Sequence, residues 1–507
     1  MTGRRLYVIT AAMMLSLFLA SIEVTVVATA MPTIVAQLGG LEIYAWVFSA
    51  YMLASTTAVP VFGKLSDIYG RRPIYLAAIA VFMIGSALAG QAQTMPQLVI
   101  FRGIQGLGAG GLLPLAFTII GDIFTFEQRA KMQGVFSSVW GVSSVIGPLI
   151  GGFLVDQVSW HWIFYLNIPF GLIAAALMIL AWRDVSPRAP GQVDLIGAGL
   201  LSGGVIALLL AMFELNSTAG WNAAAFWSQL ALAMVLLGVL LWFEARAPNP
   251  ILPLPLFRER LFATASAHGF WSGFALFGSA SFIPFFVETV LGTSATAAGA
   301  ALTPQLIAWV LASMVGSRLL LRVSYRSLAM VGMTSLVIGA SMMTQVGVHT
   351  PYWLLGVNVA LMGMGMGLSI PSFLIAVQST VPRQSLGTAT ATVQFARSIG
   401  GTVGVSVMGV ILAVRLAAGL ASAGLDPNSI SLNGLIDAAP GSAPIANLDL
   451  IRVSLASAVQ SVFVVAFIAS ILAWVVTFLS PRGRIGARAP AAAVRDASAE
   501  DRAVPAK

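Results

Sequence analysis

The chain has 507 residues, 58% of them hydrophobic and 9% charged, with a net charge of +8 and no cysteine. Soluble domains carry about 25% charged residues, so the composition is that of a polytopic membrane protein, without disulfides, thiolate nucleophiles or cysteine-bound metals. The distribution of the basic residues points to a bilayer rather than to nucleic acid.

Arg4 and Arg5 precede an apolar run long enough to span a bilayer, at about 20 residues, which reads as an uncleaved first helix rather than a secretory leader. Apolar stretches predict spans near 7–31, 44–65, 73–93, 97–121, 133–155 and 163–182. Two more follow near 194–215 and 225–244, then six near 262–287, 296–317, 327–347, 351–377, 387–415 and 454–479, fourteen in all. Charge tests the count, because cytoplasmic connections hold the Lys and Arg. Apart from Arg102 and Arg397 inside spans, and Arg415 and Arg452 beside the last outward loop, every basic residue falls on the side of Arg4. Opposite connections carry Glu42, Asp156, Glu288, Asp426, Asp437 and Asp449.

Between the second and third spans lies Gly63–Pro73, GKLSDIYGRRP, with Lys64, Asp67, Arg71 and Arg72. So many charges predict a stretch in water or headgroups, with Gly63 and Gly70 allowing close approach and a sharp turn. An internal repeat appears further on. Gly106 to Pro114 and Gly363 to Pro371 share glycine spacing, and Gly134 precedes Gly147 as Gly387 precedes Gly400. Duplicated six-helix bundles with substrate held between them are a recurring transporter architecture.

Glu23 is the carboxylate well inside the first span, where a charged acid costs of order 2.5 to 3.5 kcal/mol on insertion scales. Its functional reading is a proton site; a structural ion pair is the alternative. At 1.5 Å per residue Glu23 lies about 12 Å from Met31, and Arg102 about 9 Å from Pro96, so both charges fall at comparable depth and an arginine–carboxylate contact is expected. Gln105 stands one turn beyond Arg102. Arg397, inside its span, either meets an anionic group or pairs within the bundle; Gln105, Arg397, and His268 and Trp271 one turn apart, are candidates for a cavity wall, with hydrogen-bonded packing the alternative for His268. His161, His268 and His349 form no metal pair or HExxH, and no phosphate-binding glycine loop is present, so no enzyme activity, metal or cofactor is expected.

GKLSDIYGRRP resembles the signature loop between helices 2 and 3 of the major facilitator superfamily. RGIQGLGAGG, from Arg102, resembles the fourth-helix motif whose arginine is assigned to proton transfer. GVSSVIGPLIGG, with Gly141, Gly147, Pro148, Gly151 and Gly152, resembles the antiporter motif of exporters, its glycines and proline supplying a kink and a close-packing face. SIEVTVVATAMP, WHWIFYLNIPFG and GTATATVQFARSIGGTVG are similar to hallmarks of the 14-helix drug:proton antiporter branch, Glu23 standing where many members have aspartate. Gly316 SRLLLRVSYR is a worn copy of the signature loop without an acid, so a gate symmetrical with the first is not expected.

The resemblance implies an all-α membrane protein with the major facilitator fold, two six-helix bundles at 1–182 and 261–480 and two inserted transmembrane helices within 183–260. An outward loop at 416–453 and a disordered cytoplasmic tail at 481–507 complete it. It further implies a bacterial inner-membrane, proton-coupled antiporter exporting lipophilic or amphiphilic compounds, with Glu23 as proton acceptor and Arg102 as its partner. In the implied cytoplasmic gate, Asp67 caps a helix and Arg71 or Arg72 meets Asp122. The alternative on the same fold is an exporter of a specific lipid, siderophore or metabolite, or a proton symporter for uptake.

Overall fold

The computed structural model describes residues 3–39, 43, 46–182, 194–215, 222–247, 249–293, 295–424 and 448–483, and every regular element among them is helical. The first half contains α1 (Gly3–Leu38), α2 (Trp46–Tyr69), α3 (Arg71–Ala89), α4 (Met95–Ile123), α5 (Phe126–Gln157), α6 (His161–Tyr165) and α7 (Asn167–Ala181). Then come α8 (Leu195–Leu215) and α9 (Ala223–Glu244). The second half holds α10 (Arg260–Thr289), α11 (Ala295–Ala300), α12 (Thr303–Leu319), α13 (Tyr325–Met343), α14 (Tyr352–Thr380), α15 (Leu386–Ser422) and α16 (Leu448–Leu479).

Each predicted span falls on these helices, the sixth being broken at Leu166 into α6 and α7 and the tenth at 301–302 into α11 and α12. Among the described residues 13 helices are long and apolar enough to cross a membrane. The predicted span outside that set is α5, 32 residues long but interrupted by serines and glycines. The predicted loop 416–453 is too long. Leu416 and Leu420 are buried with Ile451 and Leu455 in one apolar cluster, so both helices continue into the stretch read as loop. Residues 425–447, with Asp426 and Asp437, lie outside the described residues, as do Glu42 and the tail from 484 onward.

Helix starts follow local chemistry. Thr94 accepts from the amide of Gln97 at 3.4 Å ahead of α4, which has a proline in its first turn, and Ser324 accepts from Ser327 at 3.0 Å ahead of α13. The glycine repeat becomes repeated packing. A methyl on Gly106 would strike the α2 backbone at Tyr51, and one on Gly363 the α12 backbone at Gln305; Gly108 and Gly365 meet α3 and α13 in the same way. α4 is therefore seated on α2 and α3 as α14 is seated on α12 and α13.

The halves meet where α2 packs on α15 and α5 on α12. α8 and α9 pack on each other and lean across this seam. Leu201, Val205, Leu209, Leu240 and Ile251 form a cluster that also takes in Leu53 of α2 and Phe395 and Ile399 of α15.

Candidate functional site

Two polar clusters are buried in this apolar frame. In the first, α1 supplies Glu23 and α4 supplies Arg102, each 1% exposed. Arg102 Nη1 pairs with Glu23 Oε1 and donates to Gln105 Oε1 at 2.8 Å. Its Nε donates to the Val47 carbonyl at 3.3 Å, and its guanidinium lies 4.2 Å from the centre of the Tyr51 ring. The remaining carboxylate oxygen, Oε2, accepts from Asn167 Nδ2 at 2.6 Å. Asn167 begins α7 just past the break at Leu166. Its amide also reaches Ser86 Oγ at 2.8 Å, which accepts from Gln105 Nε2 at 3.1 Å and donates to the Phe164 carbonyl at 2.8 Å. Removing two charges from water is tolerable only with this degree of satisfaction. The arrangement is sensitive to one proton: a neutral Glu23 holds Arg102 without an ion pair, and its new O–H competes with donors already in place.

The second cluster is built on GKLSDIYGRRP, which is almost wholly helical. α2 runs to Tyr69, α3 starts at Arg71, and the turn is the single residue Gly70 at φ 102°, open to glycine at little strain. The expectation of a solvated stretch is corrected here. Asp67 and Arg71 are each 2% exposed, because α15 covers them and supplies the donors that water would otherwise provide. Asp67 Oδ1 accepts from the amide of Gly387 at 2.9 Å; Oδ2 accepts from the amide of Thr388 at 2.7 Å and from its hydroxyl at 2.5 Å. The carboxylate therefore caps the N-terminus of α15, where the helix dipole favours negative charge.

Arg71 Nη1 lies 2.5 Å from Asp67 Oδ1, its Nε 2.9 Å from Asp122 Oδ2, and its Nη2 donates to the Arg383 carbonyl at 3.1 Å. Of the two arginines expected to meet Asp122, Arg71 does so; Arg72 donates to the Ile179 carbonyl at 2.7 Å, since successive residues point to different faces of α3. Gly63 allows the contact. A methyl there would collide with Ala391 and the Gly387 backbone. The two halves are thus bolted together at this end.

A family model described as Major Facilitator Superfamily matches residues 13–405. The chain belongs to the major facilitator superfamily. It is 38% identical over 403 residues to multidrug transporter protein MdtP of Bacillus subtilis (strain 168), covering 80% of this chain and 74% of that protein. Multidrug resistance protein 3 of the same organism is 38% identical over 399 residues, 79% of this chain and 78% of that one. Among solved structures, the human organic anion transporter MFSD10 (TETRAN) superposes with a TM-score of 0.64 at 14% identity, covering 94% of this chain and 100% of that one. The proton:xylose symporter XylE gives 0.57 at 13% identity, covering 92% of this chain and 95% of that one. Both structural likenesses are ones of fold.

Within this superfamily fold the other expected residues are scattered. Gly141 faces Val310 of α12, and Gly151 faces Val26 and Thr29 of α1. Gly147 is buried, Gly152 has open space beside it, and the side chain of Pro148 lies outside the described set. The expected kink at these positions does not interrupt α5, which is helical throughout. Gln105 joins the Glu23 cluster instead of a cavity wall. His268 is 2% exposed, with Nδ1 3.0 Å from Thr477 Oγ1 and its ring centre 4.5 Å from that of Phe373, so it is packed inside the second half. Trp271 is partly buried among Phe270 and Phe274, ring centres 5.2 and 5.9 Å away. Arg397 is half-buried and makes no hydrogen bond or ion pair among the described residues. Asn167, Ser86, Tyr51, Gly387 and Thr388 are polar partners that the sequence reading did not single out. Asn167 had a visible signal, an amide inside the quoted WHWIFYLNIPFG.

Proposed function

We propose that this chain is a proton-coupled antiporter exporting lipophilic or amphiphilic compounds, placed in a bacterial inner membrane with both termini cytoplasmic. The observation that carries the reading is the buried Glu23–Arg102 pair, locked by Asn167 and Gln105, since an ionisable pair at this depth is costly to bury and is by default a functional feature, here a carboxylate that binds and releases a proton during the cycle. The two Bacillus subtilis relatives, named as multidrug proteins, support the direction and the cargo.

In this scheme a proton from outside neutralises Glu23, weakening its hold on Arg102 and the α1–α4–α7 contact. Asp67 and Arg71 form the cytoplasmic gate, whose bonds to α15 break as bundles 1–182 and 261–480 rock about the cargo. The inserted pair within 183–260 stays at the seam, and Gly151 and Gly141 pack α5 against α1 and α12. One charge crossing 100 mV supplies about 2.3 kcal/mol, comparable with a charge-assisted hydrogen bond of the gate, about 1.5 to 3 kcal/mol.

Everted vesicles test the scheme. A permeant dye cation should accumulate inside them when respiration acidifies the lumen, with protons leaving as it enters; Glu23→Gln should stop this accumulation while dye exchange across an unenergised membrane continues. Uphill accumulation by Glu23→Gln at the wild-type rate overturns the assignment.

A further inference from the structure

An arginine deep in a membrane bundle is expected to have a counter-charge, and Arg397 has none among the described residues. A guanidinium at a helix centre costs of order 2.5 to 3.5 kcal/mol on insertion scales, and no carboxylate acts on it among the described residues. Its stem is nevertheless well placed. A methyl on Gly273 of α10 would touch Arg397 Cγ at 3.1 Å, and one on Gly269 would touch its Cβ at 3.7 Å, so α10 presents two small residues against which the stem lies. One turn earlier on the same face of α15, Gln394 is 3% exposed and its Nε2 has no hydrogen-bond partner. Two sets of donors therefore lie one turn apart on α15, without acceptors among the described residues.

Around them the surface is aromatic. Gly401, one turn beyond Arg397, packs on the ring of Phe277 of α10, while Gly400 lies on the α10 backbone at Phe270. Phe277 is 38% exposed, and its ring centre lies 6.4 Å from that of Trp309 on α12. Unfilled donors for an anion beside unfilled ring faces suit one kind of guest.

We infer that Arg397, with Gln394 Nε2, binds the anionic group of a transported amphiphile, a carboxylate, sulfonate or phosphate whose lipophilic body lies against Phe277 and Trp309. The inference deepens the export reading and rests on it for the word transported; the binding itself does not depend on transport. The guanidinium fork and the amide together offer parallel charge-assisted hydrogen bonds to an oxyanion.

The test is equilibrium binding of pyrenebutyrate and of its neutral amide to full-length protein in phosphatidylcholine nanodiscs. Wild-type protein should bind the carboxylate at least about tenfold more tightly than the amide, the factor one charge-assisted hydrogen bond supplies. Arg397→Gln should bring that ratio to about one, and Arg397→Lys should retain part of it. Equal affinity of wild type for both probes, or an unchanged ratio in Arg397→Gln, overturns the inference. Should Arg397→Gln fail to fold, Gln394→Leu replaces it and should lower the ratio; an unaltered ratio there removes Gln394 and the two-donor site. Replacing part of the phosphatidylcholine by phosphatidylglycerol should leave the ratio intact; competitive loss would assign the site to a lipid headgroup and overturn the transported-cargo reading. A wild type that discriminates between the probes yet moves no dye in everted vesicles breaks the export reading alone.

Discussion

Each half of the molecule carries an arginine well inside a membrane span, Arg102 and Arg397, and the two are solved in opposite ways. Arg102 is surrounded by its own chain, with a carboxylate, an amide, a backbone carbonyl and an aromatic face on its guanidinium. Arg397 has no hydrogen-bond acceptor or counter-charge among the described residues. The frames around them are repeats of one another. Superposing Gly106 on Gly363 puts Val359 where Arg102 stands and Met362 where Gln105 stands, while superposing Gly134 on Gly387 puts Ser144 where Arg397 stands. Duplication preserved the close packing of helices and left the charges free to diverge. One half carries a charge pair complete in itself, and the other a charge that, in the binding inferred above, is completed by a guest.

The largest expected effect comes from making the first arginine resemble the second. Glu23→Gln removes the counter-charge of Arg102, and uphill transport should fall to background while the protein stays inserted. Asp67→Asn should come next: the amide cannot accept as strongly from Gly387 and Thr388, and it deprives Arg71 of one of its two carboxylates. Transport should drop by roughly tenfold to a hundredfold for about 1.5 to 3 kcal/mol of charge-assisted bonding, measured at equal protein density in vesicles; wild-type rates would remove the latch from the mechanism.

Asn167→Leu should be smaller and more telling. It frees one carboxylate oxygen of Glu23 and breaks the link to Ser86, so the pH profile of transport should move toward alkaline pH as the carboxylate loses a donor that favours its charged form. Arg102→Gln should displace the profile in the same direction; an unmoved profile in both would separate Glu23 from coupling. Smallest should be Thr477→Val, which removes the partner of His268 Nδ1 inside the second half. It should lower stability by about 1 kcal/mol and leave the rate per folded molecule unchanged, as judged by thermal unfolding and flux on the same preparation.

Much of this was legible before any coordinates. A carboxylate and an arginine interrupting long apolar runs stand out because insertion penalises them, and equal rise per residue put Glu23 and Arg102 at comparable depth. Asn167 was overlooked for the converse reason: an amide carries no charge and interrupts hydropathy little. The burial of Asp67 and Arg71 was misread because their partners, Gly387 and Thr388, are more than 300 residues away in sequence. Local charge density says that a stretch needs polar neighbours, yet it is silent on whether water or another helix supplies them. His268 was left open between cavity and packing, and only the placement of Thr477 on α16 decides it. The length of α15 was underestimated because the buried face of Leu416 and Leu420 depends on α16, which follows a long interruption.

The inserted pair has a mechanical consequence. Its hold on α2 and α15 runs through Leu53, Phe395 and Ile399 against alkyl side chains of α8 and α9, a non-directional contact that keeps nearly the same energy as the surfaces slide. The gate beside it is made of aligned hydrogen bonds and must let go abruptly. In the proposed cycle α8 and α9 act as a greased bearing along the seam: they keep the two bundles registered during the stroke, seal lipid out of the widening gap, and add little friction of their own.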